Sequence, residues 1–190
     1  MRVTGGQLAG RMLHLPKGPR IRSTQDQVRQ ALFNILGERV KGARVLDLFA
    51  GSGGLGIEAI SRGAKHATLI DRSGFCVRAI ELNLKELLGA AAWEFSVFSK
   101  SDALSAIPRL AEKGKPFDLV LLDPPYEGDL ARKTLSALCR YAIVSRSGWV
   151  VVEHGKRDPP PPAVDGPAGR LVSQRVETYG DTALTFYTFE

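Results

Sequence analysis

Val45-Leu46-Asp47-Leu48-Phe49-Ala50-Gly51-Ser52-Gly53-Gly54-Leu55-Gly56 decides the fold class. Val45 to Phe49 are apolar apart from one aspartate, which has the length and composition of a buried strand. A glycine loop follows, and the apolar residues after it predict a helix from about Leu55 to Arg62. Strand, glycine turn and helix in that order open a βαβ unit. Working outward, the alternation continues. Ala67–Asp71, Trp93–Phe98, Phe117–Leu122 and Trp149–Glu153 read as further strands. Helical spacing separates them: Val77, Ile80, Leu84, Leu87 and Leu88, then Leu104, Ile107 and Leu110, then Leu130, Leu135 and Leu138. Five strands alternating with helices predict an α/β fold, a doubly wound parallel sheet with right-handed crossovers. Pro159-Pro160-Pro161-Pro162 is a stiff connector. Leu171–Glu177 and Ala183–Phe189 flank Gly180-Asp181 and predict a closing antiparallel hairpin, seven strands in all.

The first 43 residues differ from the rest. Residues 1–16 alternate loosely around Gly5-Gly6 and Gly10, as in a hairpin. Thr24 suits a helix N-cap, followed by Val28, Ala31, Leu32, Ile35 and Leu36 at helical spacing. Residues 1–44 hold nine Lys and Arg against two acids, +7, whereas residues 45–190 hold 17 basic and 18 acidic groups, −1. The net +6 therefore lies in the N-terminal quarter. A polyanion held through phosphate contacts is the natural partner of such a segment. The expected division is a basic extension over 1–43, binding nucleic acid and covering a cofactor, and a main domain over 44–190. Arg11, Arg20, Arg22, Thr24 and Arg29 are its expected substrate-binding residues. No apolar stretch reaches membrane-spanning length and no signal-peptide core opens the chain, which points to the cytoplasm. Cys76 and Cys139 lack metal-type spacing and read as small apolar residues.

Gly51-Ser52-Gly53-Gly54-Leu55-Gly56 matches the dinucleotide pattern G-x-G-x-x-G, and Asp71 lies 20 residues after Gly51. The charges argue otherwise. Asp47 sits near the place of a pyrophosphate, and the loop holds no Lys or Arg. Asp47, Asp71, Asp102 and Asp123 each fall at or just after the end of a predicted strand. Acids along one sheet edge suit a cationic cofactor carrying a ribose. S-adenosylmethionine has that chemistry: Asp47 for its ammonium, Asp71 for its ribose hydroxyls, Asp102 for its adenine amine. Taken singly, each acid also fits a loop or cap position. The expected cofactor set is Asp47, Phe49, Gly51, Ser52, Gly53, Gly56, Asp71, Arg72, Asp102 and Ala103.

Asp123-Pro124-Pro125-Tyr126 directly follows the apolar run Phe117–Leu122. Asp123 and the Pro124 carbonyl can accept both hydrogens of an exocyclic amine, and Tyr126 offers a stacking face. The prolines fix the loop that carries these acceptors. The plainer reading is a proline turn after a strand. With the four acids and the basic extension beside it, the tetrapeptide reads as the catalytic set Asp123, Pro124, Pro125 and Tyr126. No metal is required.

With these residues in place the chain resembles the class I S-adenosylmethionine-dependent methyltransferases, whose Rossmann-like sheet has seven strands and an antiparallel last strand. Asp47–Ala59 resembles their first motif, and Asp123-Pro124-Pro125-Tyr126 that of the amino-methylating branch. More narrowly, it resembles the bacterial 16S ribosomal RNA guanine-N2 methyltransferases from end to end. The matching stretches are Arg2-Val3-Thr4-Gly5-Gly6, Arg22-Ser23-Thr24 with Val28–Leu36, and Tyr179-Gly180-Asp181-Thr182. That family usually carries Pro where Ser23 stands and Arg where Gln27 stands. The resemblance implies methylation of the N2 amine of a guanine by a monomer acting on 16S RNA or the assembling 30S subunit. Two alternatives compete: a DNA adenine-N6 or cytosine-N4 methyltransferase, and a non-catalytic RNA-binding assembly factor.

Overall fold

The computed structural model describes residues 1–15, 26–126 and 128–190. These residues form two compact units, Met1–Asp102 and Ala103–Glu190.

In the first unit, α1 (Asp26–Leu36) precedes β1 (Arg44–Asp47), α2 (Gly54–Ser61), β2 (His66–Asp71), α3 (Gly74–Leu88), the short α4 (Ala92–Phe95) and β3 (Ser96–Lys100). The strands lie in the order β3-β2-β1, all parallel. Val45, Leu46, Ala67 and Leu69 are fully buried, and α2 and α3 cover the strands with Ile57, Ile80 and Leu84. Near-continuous apolar strands are what a sheet covered by helices requires. The expected strand Trp93–Phe98 divides: Ala92–Phe95 is a helical turn and pairing starts at Ser96. Ser96 Oγ donates to the Ala92 carbonyl at 2.6 Å and closes that turn. The aromatic residues that suggested a strand, Trp93 and Phe95, are exposed.

The N-terminal hairpin forms, with Arg2 bridged to Met12 and the Val3 amide donating to Arg11 at 2.9 Å. It is docked on α2. Thr4 donates through its amide and its hydroxyl to the two Glu58 oxygens, each at 2.7 Å. The Gln7 amide donates to the Ser61 carbonyl at 2.8 Å. Gly6 has φ +78°, and a Cβ there would lie 1.9 Å from the Ser61 oxygen, so only glycine fits.

The second unit contains α5 (Ala103–Glu112), β4 (Phe117–Leu122), α6 (Leu130–Tyr141), β5 (Val144–Gly155), β6 (Ala163–Gly166), β7 (Gly169–Tyr179) and β8 (Thr182–Phe189). Its strand order is β4-β5-β8-β7-β6. β4 and β5 are parallel, and the remaining pairs are antiparallel. The C-terminal hairpin therefore forms as expected, turning at Gly180 with φ +61°. The described residues hold eight strands rather than seven. The additional one, β6, is a four-residue segment that β7 recruits by backbone pairing after the proline run, too short to show periodicity. Cys76 and Cys139 are buried free thiols.

Candidate cofactor and amine sites

Because β1, β2 and β3 are parallel and in register, their C-terminal ends share one edge. Asp47 closes β1, Asp71 closes β2, and Asp102 follows β3 by two residues. The structure thus brings together the three acids expected in this unit. Asp47 is fully buried. Its Oδ2 accepts from the Gly56 amide at 3.1 Å, and its Oδ1 has no hydrogen-bond partner among the described residues. Burial pushes this carboxyl up to about 7, with the charge of Asp71 adding and the amides of Gly56 and Phe49 opposing. A carboxylate so placed gains from a cation brought to Oδ1. The ammonium group of S-adenosylmethionine fits that requirement.

Asp71 accepts from the Gly51 amide at 2.9 Å through Oδ2 and from the Ser73 amide at 2.7 Å through Oδ1. Each oxygen keeps a further lone pair, which suits a ribose diol. Gly51 has φ +56°, and a Cβ there would meet nothing within 4 Å among the described residues. Gly53 and Gly56 also serve packing. A Cβ at Gly56 would lie 2.7 Å from Leu69 Cδ2, so the glycine lets α2 close on β2. Ser52 is buried, and its carbonyl accepts from Asn83 Nδ2 at 2.9 Å. Phe49 is half-buried at the loop entrance, while Arg72 and Asp102 are exposed. Ala103 is the buried first residue of α5 in the second unit.

The tetrapeptide follows β4 in the second unit. Asp123 and Tyr126 are half-buried, Pro124 is buried and Pro125 exposed. The Tyr126 hydroxyl donates to Glu153 Oε1 at 3.1 Å and lies 3.1 Å from Thr182 Oγ1. Its ring lies against Gly155, where a Cβ would sit 3.4 Å from Tyr126 Cδ2. Burial pushes the phenol up to about 12; the Thr182 hydrogen bond opposes this, and the charges of Glu153 and Asp123 add to it. Tyr126 thus remains an uncharged ring pinned at its hydroxyl. Glu153, Gly155 and Thr182 were missed by sequence reasoning. Thr182 had a signal, because it closes Tyr179-Gly180-Asp181-Thr182, but nothing in the sequence assigned it a role. His154 is buried between Thr185 Oγ1 at 2.7 Å and the Gly155 carbonyl at 2.9 Å, and burial lowers its pKa.

Of the expected substrate-binding residues, Arg11 is exposed on the hairpin. Arg20, Arg22 and Thr24 lie outside the described residues. Arg29 departs from the expectation: it is fully buried. Its guanidinium pairs with Asp26 at 2.7 Å and Glu58 at 3.4 Å and donates to the Arg2 carbonyl. Glu58 also takes Arg62 at 2.8 Å. Arg29 therefore fastens α1 and the hairpin to α2 rather than facing a phosphate.

A family model described as "Conserved hypothetical protein 95" matches residues 1–188. The chain is 37% identical over 187 residues to "Putative rRNA methyltransferase YlbH" of Bacillus subtilis, covering 98% of each protein. It is 39% identical over 153 residues to "Ribosomal RNA small subunit methyltransferase D" of Escherichia coli K12, covering 80% of this chain and 71% of that one. Among solved structures, yhhF of Escherichia coli superposes with a TM-score of 0.80 at 33% identity, over 100% of this chain and 98% of that one.

Proposed function

The chain belongs to the family described as conserved hypothetical protein 95, and from that premise we propose that it methylates the exocyclic N2 amine of a guanine in 16S ribosomal RNA, of the guanine-966 type, using S-adenosylmethionine. The observation that carries the cofactor reading is the buried Asp47 with one unpartnered oxygen at the end of β1. Both relatives are named for methyl transfer to ribosomal RNA, and the Escherichia coli one for the small subunit. These names support the substrate class.

S-adenosylmethionine supplies an electrophilic methyl group on a sulfonium. Asp47 binds its ammonium end, Asp71 its ribose, and Asp102 its adenine amine. Tyr126 stacks on the target base, which must leave its own stack to be reached. Asp123 and the Pro124 carbonyl accept the two N–H groups of the amine. That restraint favours a pyramidal nitrogen whose lone pair is free to attack, and positioning supplies much of the acceleration. The nitrogen gives up one proton on methylation, and Asp123 is the acceptor at hand. The basic residues of positions 1–43 other than Arg29 hold the RNA phosphates and help to cover the cofactor. The protein acts as a cytoplasmic monomer; no helix among the described residues is long and apolar enough to cross a membrane.

The test is transfer of radiolabelled methyl from S-adenosylmethionine to naked 16S RNA, 30S particles and duplex DNA. Label in guanine N2 of RNA, lost in Asp123→Ala with cofactor binding retained, is the expected result. Label in duplex DNA alone would establish the DNA-methylating reading. Binding of cofactor and RNA with no transfer to any substrate would leave a non-catalytic assembly factor.

A further inference from the structure

The exposed Trp and Phe side chains of the described residues all lie between positions 75 and 95: Phe75, Trp93 and Phe95, at 54%, 49% and 38% exposure. Two of them end a continuous track on the first unit. Trp93 packs on Phe98 with ring centroids 5.7 Å apart. Phe98 and Lys100 are two residues apart on β3 and so project from one face of it. The exposed Lys100 and Arg78 then converge over the start of α3. A Cβ built at Gly74 would sit 3.8 Å from Lys100 Nζ and 3.7 Å from Arg78 Nη1. The Arg78 guanidinium lies 4.9 Å from the centroid of Phe75. The order is aromatic, aromatic, cation, cation, aromatic.

Two cations brought to one point repel each other unless an anion lies between them. Neither Arg78 nor Lys100 has an ion pair among the described residues. Asp71 stands opposite Lys100 in the β2–β3 ladder, accepts from the Gly51 and Ser73 amides, and forms no ion pair with either cation. Gly74, with no Cβ, leaves the point of convergence open. Aromatic faces alternating with unpaired cations are the recognition chemistry of single-stranded nucleic acid: bases stack and phosphates meet the charges. A protein partner of the same area would call for a more continuous apolar face, without two unpaired cations at its middle.

We propose that Trp93, Phe98, Lys100, Arg78 and Phe75 form a second RNA-contact surface, separate from the basic N-terminal segment, that holds unpaired nucleotides flanking the target guanine. This rests on the reading of the protein as an RNA methyltransferase. The track adjoins Asp71 through Ser73 and Gly74, so it lies beside the proposed ribose site of the same unit.

The experiment measures binding of a 12-nucleotide single-stranded RNA of mixed sequence, of transcribed 16S RNA and of 30S particles, by fluorescence anisotropy across a salt series. S-adenosylhomocysteine affinity, from calorimetry, checks that the cofactor site is intact. Arg78→Ala with Lys100→Ala should reduce the slope of log affinity against log salt by about 1.4, at roughly 0.7 for each phosphate released from a single strand. Phe75→Ala should weaken RNA binding about 5- to 150-fold, the range for one stacked base. These side chains are exposed, so the variants fold, and thermal melting verifies it. Wild-type RNA affinity and salt slope in the variants would overturn the proposal. So would a loss confined to protein-bearing 30S particles with naked RNA unaffected, which would make the surface a protein contact. Absence of methyl transfer by the wild-type protein is a distinct result: it would overturn the enzymatic reading whatever the variants bind.

Discussion

Asp47→Asn separates stability from binding. The carboxyl has moved from 3.8 to about 7 through burial. At about 1.4 kcal/mol per pH unit this is about 4 kcal/mol of folding free energy. The sign follows from the direction. The raised group is protonated in the folded chain between pH 4 and 7 but ionised in the unfolded one, so its contribution falls across that window and is lost above pH 7. Asparagine keeps the acceptor for the Gly56 amide and removes the buried charge. Its amide donor then stands where Oδ1 has no partner, at a cost of about 1–3 kcal/mol. The ligand-free variant should therefore exceed wild type by about 1–3 kcal/mol at pH 8, a rise in Tm of about 2–12 °C. At pH 4 it should be no more stable than wild type. Urea unfolding at both pH values measures this. The cofactor reverses the order. Wild-type affinity for S-adenosylmethionine should weaken roughly tenfold from pH 8 to pH 6, as Asp47 takes up a proton. The variant should bind weakly and show no such dependence. An equal effect of the substitution on stability at pH 4 and pH 8 would refute the buried-acid argument. A pH-independent wild-type affinity would refute the pairing of Asp47 with the ammonium group.

Three further outcomes are expected. Gly6→Ala places a methyl group 1.9 Å from the Ser61 oxygen at φ +78° and should cost more than about 2 kcal/mol by urea titration, because hairpin and α2 must separate. Glu58→Gln leaves Arg29 buried without its full charge partner and should cost about 3–5 kcal/mol. Glu58→Gln combined with Arg29→Met should cost less than the sum of the two single changes. Tyr126→Ala should lower kcat more than 100-fold by removing about 3 kcal/mol of stacking, whereas Tyr126→Phe should cost about tenfold or less, since it keeps the ring and loses the hydroxyl's bonds to Glu153 and Thr182. Thr182→Val should resemble Tyr126→Phe and add little to it.

Local pattern was enough for the elements whose periodicity is long or whose turns are chemically constrained. β1, the glycine loop and α2 follow from one strand of apolar residues meeting glycines at positive φ. The hairpin at Gly180 follows from turn chemistry. The stretch Trp93–Phe98 misled because an aromatic run has the same composition in a strand and on an exposed helical turn. Burial distinguishes them, and burial is set by residues distant in the chain. β6 was invisible for a related reason: its four residues are a strand only because β7 offers them backbone partners.

Charge was legible as a total and not as an assignment. The sequence alone determined that the basic excess lies at the N-terminus, that acids recur at strand ends, and that Asp123-Pro124-Pro125-Tyr126 follows β4, because each of these depends on residue type and order. The tertiary structure decided which charges are available. It buried Arg29 against Glu58, left Asp47 with one oxygen lacking a partner among the described residues, and joined Thr182 to Tyr126 across 56 positions. The physical reason is that desolvation and pairing set what a charged or polar group can do, and both depend on neighbours that only folding brings into contact.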